Sequence, residues 1–329
     1  MDQSKKLPLL AVVGSTASGK SRVAVQLAQK LNGEVVSCDS MQIYRRMNIG
    51  TAKPTEAEME GIPHHLIDFA QPDAPFSSAD YVAAAKKVIA EICARGKLPI
   101  LCGGTGLYLE RLLFGGGDAP MAEPTPEIRQ KWQAYCAEYG NHALHEQLRE
   151  VDAESADAIH ENNVHRVIRA LEVFETTGVP KSQWDRRSKE IVSDYDYTVI
   201  GLKYNDRDLL YRRINDRVDA MMREGLLNET RNLMDEGVFD RNSTAAQAIG
   251  YKELLAHLRG EESYEDAVER LKTATRRYAK RQITWFGAKD YVQWIDADEN
   301  GVRRSETEIL NAVLTLKKIS LLGKFFEDS

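Results

Sequence analysis

The chain has 329 residues and a formal net charge of -6, with 43% hydrophobic and 29% charged residues. These values fit a globular enzyme of one large domain or two, and they exclude a generally basic nucleic-acid coat, though not local basic patches. The four cysteines, Cys38, Cys93, Cys102 and Cys136, form no C-x-x-C pair, which disfavours a metal cluster or a disulfide framework. No apolar run approaches a membrane span, and the first six residues lack the apolar segment of a signal peptide, so a cytoplasmic protein without membrane contact is expected.

An apolar run, Leu9 to Val13, leads into Gly14-Ser15-Thr16-Ala17-Ser18-Gly19-Lys20-Ser21, and Arg22 to Leu31 then has helical spacing. Strand, glycine loop and helix in that order give the G-x-x-x-x-G-K-S pattern its meaning. Backbone N–H groups turned inward by the glycines, with the positive end of the helix, form an anion cradle. Lys20 would reach the outer phosphates, and the Ser21 hydroxyl would sit on Mg2+. Glu34 to Cys38 reads as a second strand, and Asp39-Ser40-Met41-Gln42-Ile43-Tyr44 follows it on the edge that faces ligand in open α/β sheets. Asn48 to Pro54 reads as a loop, His64 to Phe69 as a short strand, Ser78 to Arg95 as a helix, and Pro99 to Cys102 as a buried strand that runs into Gly103-Gly104-Thr105-Gly106. Strands alternating with helices imply a parallel sheet.

The texture changes at Gly115-Gly116-Gly117-Asp118-Ala119-Pro120. From Glu127 to about Thr177 the pattern is helical and highly charged, and strand character returns at Tyr197 to Leu202. The organisation expected is an α/β, P-loop NTPase-like core of residues 1–118 and 197–329, its parallel sheet flanked by helices, with an inserted helical domain at 119–196. The remainder is mostly helical until a last strand at Tyr291 to Asp296.

Asp39 could act as a general base, as a magnesium ligand through water, or as a cap for the segment after it. There is no clear Walker-B aspartate: the strand ending at Cys102 runs into Gly103-Gly104-Thr105, and the Asp68 strand is a weak substitute, which disfavours a hydrolytic motor and favours a transferase that uses the loop only to hold phosphates. Thr105 offers a hydroxyl at a close-approach loop, or simply an N-cap. Arg213 and Arg217 share a helix face and suit a diphosphate, or a solvated surface. From Arg270 to Lys289 there are seven basic residues, Arg277, Lys280 and Arg281 among them, and no acidic one. With Leu271, Ala274, Tyr278 and Trp285 gathered on one side, this helix would present a positive face to a polyanion. His165-Arg166-Val167-Ile168-Arg169 is a smaller basic cluster within the insertion.

Taken together the motifs resemble the tRNA dimethylallyltransferases: the Gly14–Ser21 loop, Asp39 to Tyr44, Gly50-Thr51-Ala52-Lys53-Pro54, Gly103 to Tyr108, Arg166 to Val173, Gln247 to Glu253, and Arg277 to Gln282 with Trp285-Phe286. The resemblance implies transfer of the dimethylallyl group from dimethylallyl diphosphate to N6 of adenosine 37, next to the anticodon, with release of diphosphate. It implies Asp39 as the base for N6, and Gly14 to Ser21 as the diphosphate and magnesium loop. It further implies Thr105 near the reacting centre and Arg217 on the diphosphate. Asp39 to Gln42 and His165 to Arg169 correspond to segments that touch the anticodon stem-loop, and the insertion to a helical domain that grips it. A monomer is expected. The rivals are a small-molecule kinase, a prenyltransferase acting on free adenine nucleotides, and a non-catalytic RNA-binding switch.

Overall fold

Leu7–Gly14, buried along almost its whole length, forms β1. A computed structural model describes residues 6–115, 126–189, 192–241 and 243–319. After β1 come α1 (Lys20–Lys30), β2 (Gly33–Ser37), α2 (Glu56–Met59), β3 (His64–His65), α3 (Ser78–Ala94), β4 (Leu98–Gly103) and α4 (Gly106–Phe114). The helices α5 (Pro126–Val151), α6 (Ala153–Ala158), α7 (Val164–Thr177) and α8 (Lys181–Lys189) precede β5 (Tyr195–Lys203). The chain continues through α9 (Arg207–Glu224), α10 (Leu226–Asp235), α11 (Val238–Arg241), α12 (Ser243–Ala246), α13 (Tyr251–Leu258) and α14 (Tyr264–Gly287). It then forms β6 (Val292–Asp296), β7 (Asp298–Glu299), β8 (Val302–Arg303) and α15 (Glu306–Leu314).

β1 to β6 form one parallel sheet in the order β3-β2-β4-β1-β5-β6, the α/β class expected. The strand before the phosphate loop is central, so the carboxyl ends of β1, β2 and β4 lie side by side. In open α/β sheets that edge is where ligand binds. Leu10, Val12, Val23, Leu27, Ile100, Ile200 and Ile214 pack the sheet against α1 and α9. A second core joins Ile43, Tyr44 and Met47 to Leu226, Tyr251, Leu254 and Leu271. It anchors the segment after β2 to the helical part of the same unit. Among the described residues no helix is long and apolar enough to cross a membrane.

Two compact units divide the chain: Met1–Leu109 with Asp194–Ser329, and Glu110–Ser193. The expected insertion of 119–196 therefore ends too late, because Tyr195 and Asp196 are already paired with β1 in the sheet. At its start the division falls inside α4, before the glycine run, and 116–125 lie outside the described residues. The insertion is helical throughout its described elements and has its own core of Leu144, Leu148, Val167, Ile168, Ala170 and Leu171.

Two local expectations change, and one element is new. The strand at His64 to Phe69 shrinks to two residues, because Leu66 and Asp68 take positive φ (55° and 56°) and the Asp68 and Phe69 amides donate to Gln42 O and Ile43 O instead. The α14 face is rotated: Ala267, Leu271, Ala279, Gln282 and Phe286 are buried, while Ala274 and Trp285 are half-buried. A small hairpin, β7 with β8, turns through Asn300 and Gly301, both at positive φ.

Candidate active site

The phosphate loop is held by its own backbone. Gly14 has φ +148°, and a β-carbon there would lie 2.7 Å from Leu202 O. Gly19 caps α1 from the left-handed region, which glycine enters without steric cost. The Ser15 carbonyl accepts from the Ser18 amide (3.2 Å) and from Lys20 Nζ (3.2 Å). Ala17 sits at φ 61°, and its carbonyl accepts from Arg213 Nε at 3.1 Å. Arg213 is thereby a brace for the loop, with its guanidinium 5.8 Å over the Tyr204 ring.

At the loop lies a cavity of about 310 Å³. Thr16, Lys20, Ser21, Asp39, Ser40, Met41, Gln42, Arg217 and Arg281 of the expected site residues line it, with His64, Cys102, Gly103, Tyr278 and Gln282. A neighbouring cavity of about 730 Å³ shares Lys20, Ser21, His64 and Arg217 with it and adds Lys53 and Arg213. Lys20 and Arg217 therefore stand where the two spaces meet. Burial, with Arg217 beside it, lowers the Lys20 pKa, while Cys102 and Asp39 act the other way. Burial likewise lowers the Arg217 pKa, against the pull of Glu58 and Asp39. Among the described residues the Arg217 guanidinium makes no hydrogen bond or ion pair. A half-buried cation without a close carboxylate partner favours an anion that completes it.

The Asp39 edge is built from side chains. Asp39 Oδ1 accepts from the Met41 amide (2.9 Å) and the Gln42 amide (3.3 Å), and its other oxygen has no hydrogen bond among the described residues. One carboxylate oxygen thus performs the capping role while the second is open to a ligand. Thr105 does not line the cavity. Its Oγ1 accepts from the Ser40 amide at 3.0 Å, and its own amide donates to Cys38 O at 3.2 Å. Although Thr105 directly precedes α4, the hydroxyl serves the Asp39-Ser40 turn. Burial raises the thiol pKa of Cys38 to about 12 and of Cys102 to about 11, so both are thiols at neutral pH and poor nucleophiles.

Gln282, on the buried side of α14, was not expected as a site residue in its own right. Its Oε1 accepts from the Thr16 amide (2.8 Å), and its Nε2 donates to Gly104 O (3.1 Å). One amide thereby joins the phosphate loop to the loop after β4. The sequence signal was faint: a polar residue four positions after Tyr278 and four before Phe286, on a buried line.

The basic face of α14 is narrower than expected. Arg270 pairs with Glu262, Lys272 with Asp219 (2.8 Å) and Glu269 (3.3 Å), and Arg276 donates to Asn215 Oδ1 (2.6 Å). Arg277 and Lys280 are exposed and have no ion pair among the described residues, and Arg281 lies 5.5 Å over the Tyr278 ring. In the inserted unit, Val167 and Ile168 are core side chains, 0% and 4% exposed, so their side chains are not available to RNA. His165 and Arg166 are exposed, and Arg169 donates to the buried Glu172 at 3.2 Å.

Among the described residues no group of three or more His, Cys, Asp or Glu could hold a metal ion. Magnesium needs no such cage when substrate phosphates supply most of its ligands. The Ser21 hydroxyl beside Lys20 fits that mode, and Asp39 lines the same cavity.

The sequence model of the IPP transferase family matches residues 42–289. The chain is 47% identical over 294 residues to the tRNA dimethylallyltransferase of Thermoanaerobacter sp. (strain X514), covering 89% of this chain and 93% of that protein. It is 50% identical over 294 residues to the tRNA dimethylallyltransferase of Bacillus licheniformis, covering 88% and 91%. Among solved structures, the full-length tRNA isopentenylpyrophosphate transferase of Bacillus halodurans superposes with a TM-score of 0.69 at 43% identity, covering 98% of each chain. A eukaryotic dimethylallyltransferase acting on tRNA gives 0.81 at 30% identity, covering 95% of this chain and 79% of that one.

Proposed function

This chain belongs to the tRNA dimethylallyltransferase family, and from that premise we propose that it transfers the dimethylallyl group of dimethylallyl diphosphate to N6 of adenosine 37 in tRNA, releasing diphosphate. The observation that carries this reading is the pairing of opposites in one cavity. Lys20 and the unpaired Arg217 share it with Asp39, one of whose oxygens is open.

The adenine amine is a poor nucleophile, because its lone pair is delocalised into the ring. As that nitrogen bonds to the allylic carbon, the carbon–oxygen bond to diphosphate breaks with its electron pair going to oxygen. Asp39 takes the N6 proton. Lys20, Arg217 and the loop amides hold the growing charge on the leaving group. An anion there favours the ammonium form of Lys20, opposing the effect of burial. Ser21 would hold Mg2+, which neutralises diphosphate charge when bound. No phosphoryl group moves, so no water-activating carboxylate is required.

The two cavities that meet at Lys20 and Arg217 offer separate approaches for the two substrates. The acceptor base lies in a loop and can leave its stack at modest cost. Ser40, Met41 and Gln42 line the cavity where that base would enter, and Arg281 stands beside it. Thr105 acts by fixing the Ser40 amide, and Arg277 and Lys280 attract the anticodon stem. In the inserted unit, His165 and Arg166 are the exposed side chains for tRNA. A monomeric, cytoplasmic enzyme completes the reading.

The test is incubation with labelled dimethylallyl diphosphate, magnesium and total tRNA. Label should enter tRNA with release of diphosphate, and tRNA with position 37 changed should take none. Light scattering should report one chain per particle. Release of ADP from ATP with a small acceptor, or label in free adenine nucleotides but not in tRNA, would overturn the reading.

A further inference from the structure

We propose that Glu229, in the first turn of α10, is a positioning residue that sets the Gln42 carboxamide for its tRNA contact; this rests on the reading of Gln42 given above. The Glu229 carboxylate lies against three consecutive backbone amides. It accepts from Asn48 N–H at 2.9 Å, from Ile49 N–H at 3.0 Å and from Gly50 N–H at 3.1 Å. The Tyr251 hydroxyl donates to the same carboxylate at 2.7 Å. Successive amides turned to one point form a concavity for an anion, and here a side chain of the protein fills it.

The segment so held is not remote from the chemistry. Directly after Gly50, the Thr51 and Ala52 carbonyls accept from Gln42 Nε2 at 3.3 and 3.1 Å. Gln42 Oε1 accepts from Ser37 Oγ at 3.2 Å, which leaves the carboxamide one orientation. Gln42, Thr51 and Ala52 all line the cavity. Gln42 N–H also donates to Asp39 Oδ1. The path thus runs from Glu229 through two carbonyls to the side chain beside the general base. Tyr251 reinforces it: its ring lies so close to Gly50 that a β-carbon there would meet it at 2.5 Å, so the loop can rest on the ring only through glycine.

The arrangement separates the two substrates. Gln42, Gly50 and Thr51 line the cavity of the acceptor base and not its neighbour, which Asn48 and Ile49 line instead, and the phosphate loop has its own braces in Arg213 and Gln282. Glu229→Gln places an amide donor against a cluster of donors while keeping shape. The KM for tRNA should rise roughly tenfold, the effect of about one lost charge-assisted hydrogen bond, while the KM for dimethylallyl diphosphate stays within about twofold. Amide hydrogen exchange in the ligand-free protein should quicken at 48–50. Glu229→Gln added to Gln42→Ala should raise the tRNA KM no further than Gln42→Ala alone, since both act through one carboxamide.

Equal rises in both KM values, or additive effects of the two substitutions, would overturn the proposal. So would unchanged exchange at 48–50. Should Glu229→Gln not fold, Tyr251→Phe removes one donor and keeps the amides, and it should give a smaller shift confined to the tRNA KM; a shift in both constants counts against the proposal. If the wild-type chain places no label in tRNA, the functional reading fails while the exchange measurement still decides whether Glu229 holds the loop.

Discussion

At the phosphate end of the cavity the chain offers backbone amides, a helix terminus and the cations Lys20 and Arg217, whereas at the Asp39 end it offers a carboxylate set by turns and distant side chains. The first end is assembled largely within eight consecutive residues. The second draws on Asp39, Thr105, Gln42 and the 48–52 loop, with Glu229 behind them. A leaving group needs charge stabilisation that any correctly turned backbone can give. A nucleophile needs a base at one position and a base-reading edge at another, which only tertiary contacts can fix.

Substitutions that strike each end alone should separate these roles. The largest effect is expected from Asp39→Ala, which removes the proton acceptor. Turnover should fall about 10²–10⁴-fold, the usual range for a general base, while tRNA still binds. Filter binding beside single-turnover transfer distinguishes lost chemistry from lost binding, and near-normal transfer would remove Asp39 from the base role. Lys20→Ala should reduce kcat/KM for dimethylallyl diphosphate by about 10²–10³-fold, the scale found for one preorganised electrostatic group, with tRNA binding unaffected. Unchanged saturation by the allylic diphosphate would place the anion elsewhere.

Gln282 tests whether the ends are independent. Its side chain bridges the Thr16 amide and the Gly104 carbonyl, so Gln282→Ala frees one loop from the other and leaves both groups without this partner. A misplacement on the order of an ångström can cost up to about 10²-fold in rate. We expect a loss of about tenfold to that limit, with both KM values raised, in contrast to the one-sided effects of Lys20 and Glu229. A change in one KM alone would show that Gln282 serves a single loop.

These differences explain what could be read from sequence. The phosphate loop, β1 and α1 were legible because a short stretch encodes a local geometry, and the parallel sheet followed from alternation. Asp39 was legible as a carboxylate after a strand, but its open second oxygen depends on which amides the first one accepts. Gln282 and Glu229 act across 266 and about 180 positions of chain, and no window of sequence contains such a contact. The strand expected at His64 to Phe69 failed for the same reason, since its amides found partners at Gln42 and Ile43. The Asn300-Gly301 turn, by contrast, carries a local hairpin signal.

The smallest expected effect concerns the outer face of α14, where the same helix has an inside that organises the catalytic loops and an outside that meets solvent. Arg270 and Lys272 are paired with acidic neighbours and Arg276 donates to the neutral Asn215, whereas Arg277 and Lys280 are exposed and make no ion pair among the described residues. Charge reversal at both should weaken tRNA binding and flatten its dependence on salt, because each phosphate contact contributes a slope of about 0.7–0.9 in log K against log salt. The KM for dimethylallyl diphosphate and the single-turnover rate at saturating tRNA should stay unchanged, since neither side chain lines the cavity. An unaltered salt slope would make the outer face ordinary solvated surface and leave recognition to Gln42, Arg281 and the inserted unit.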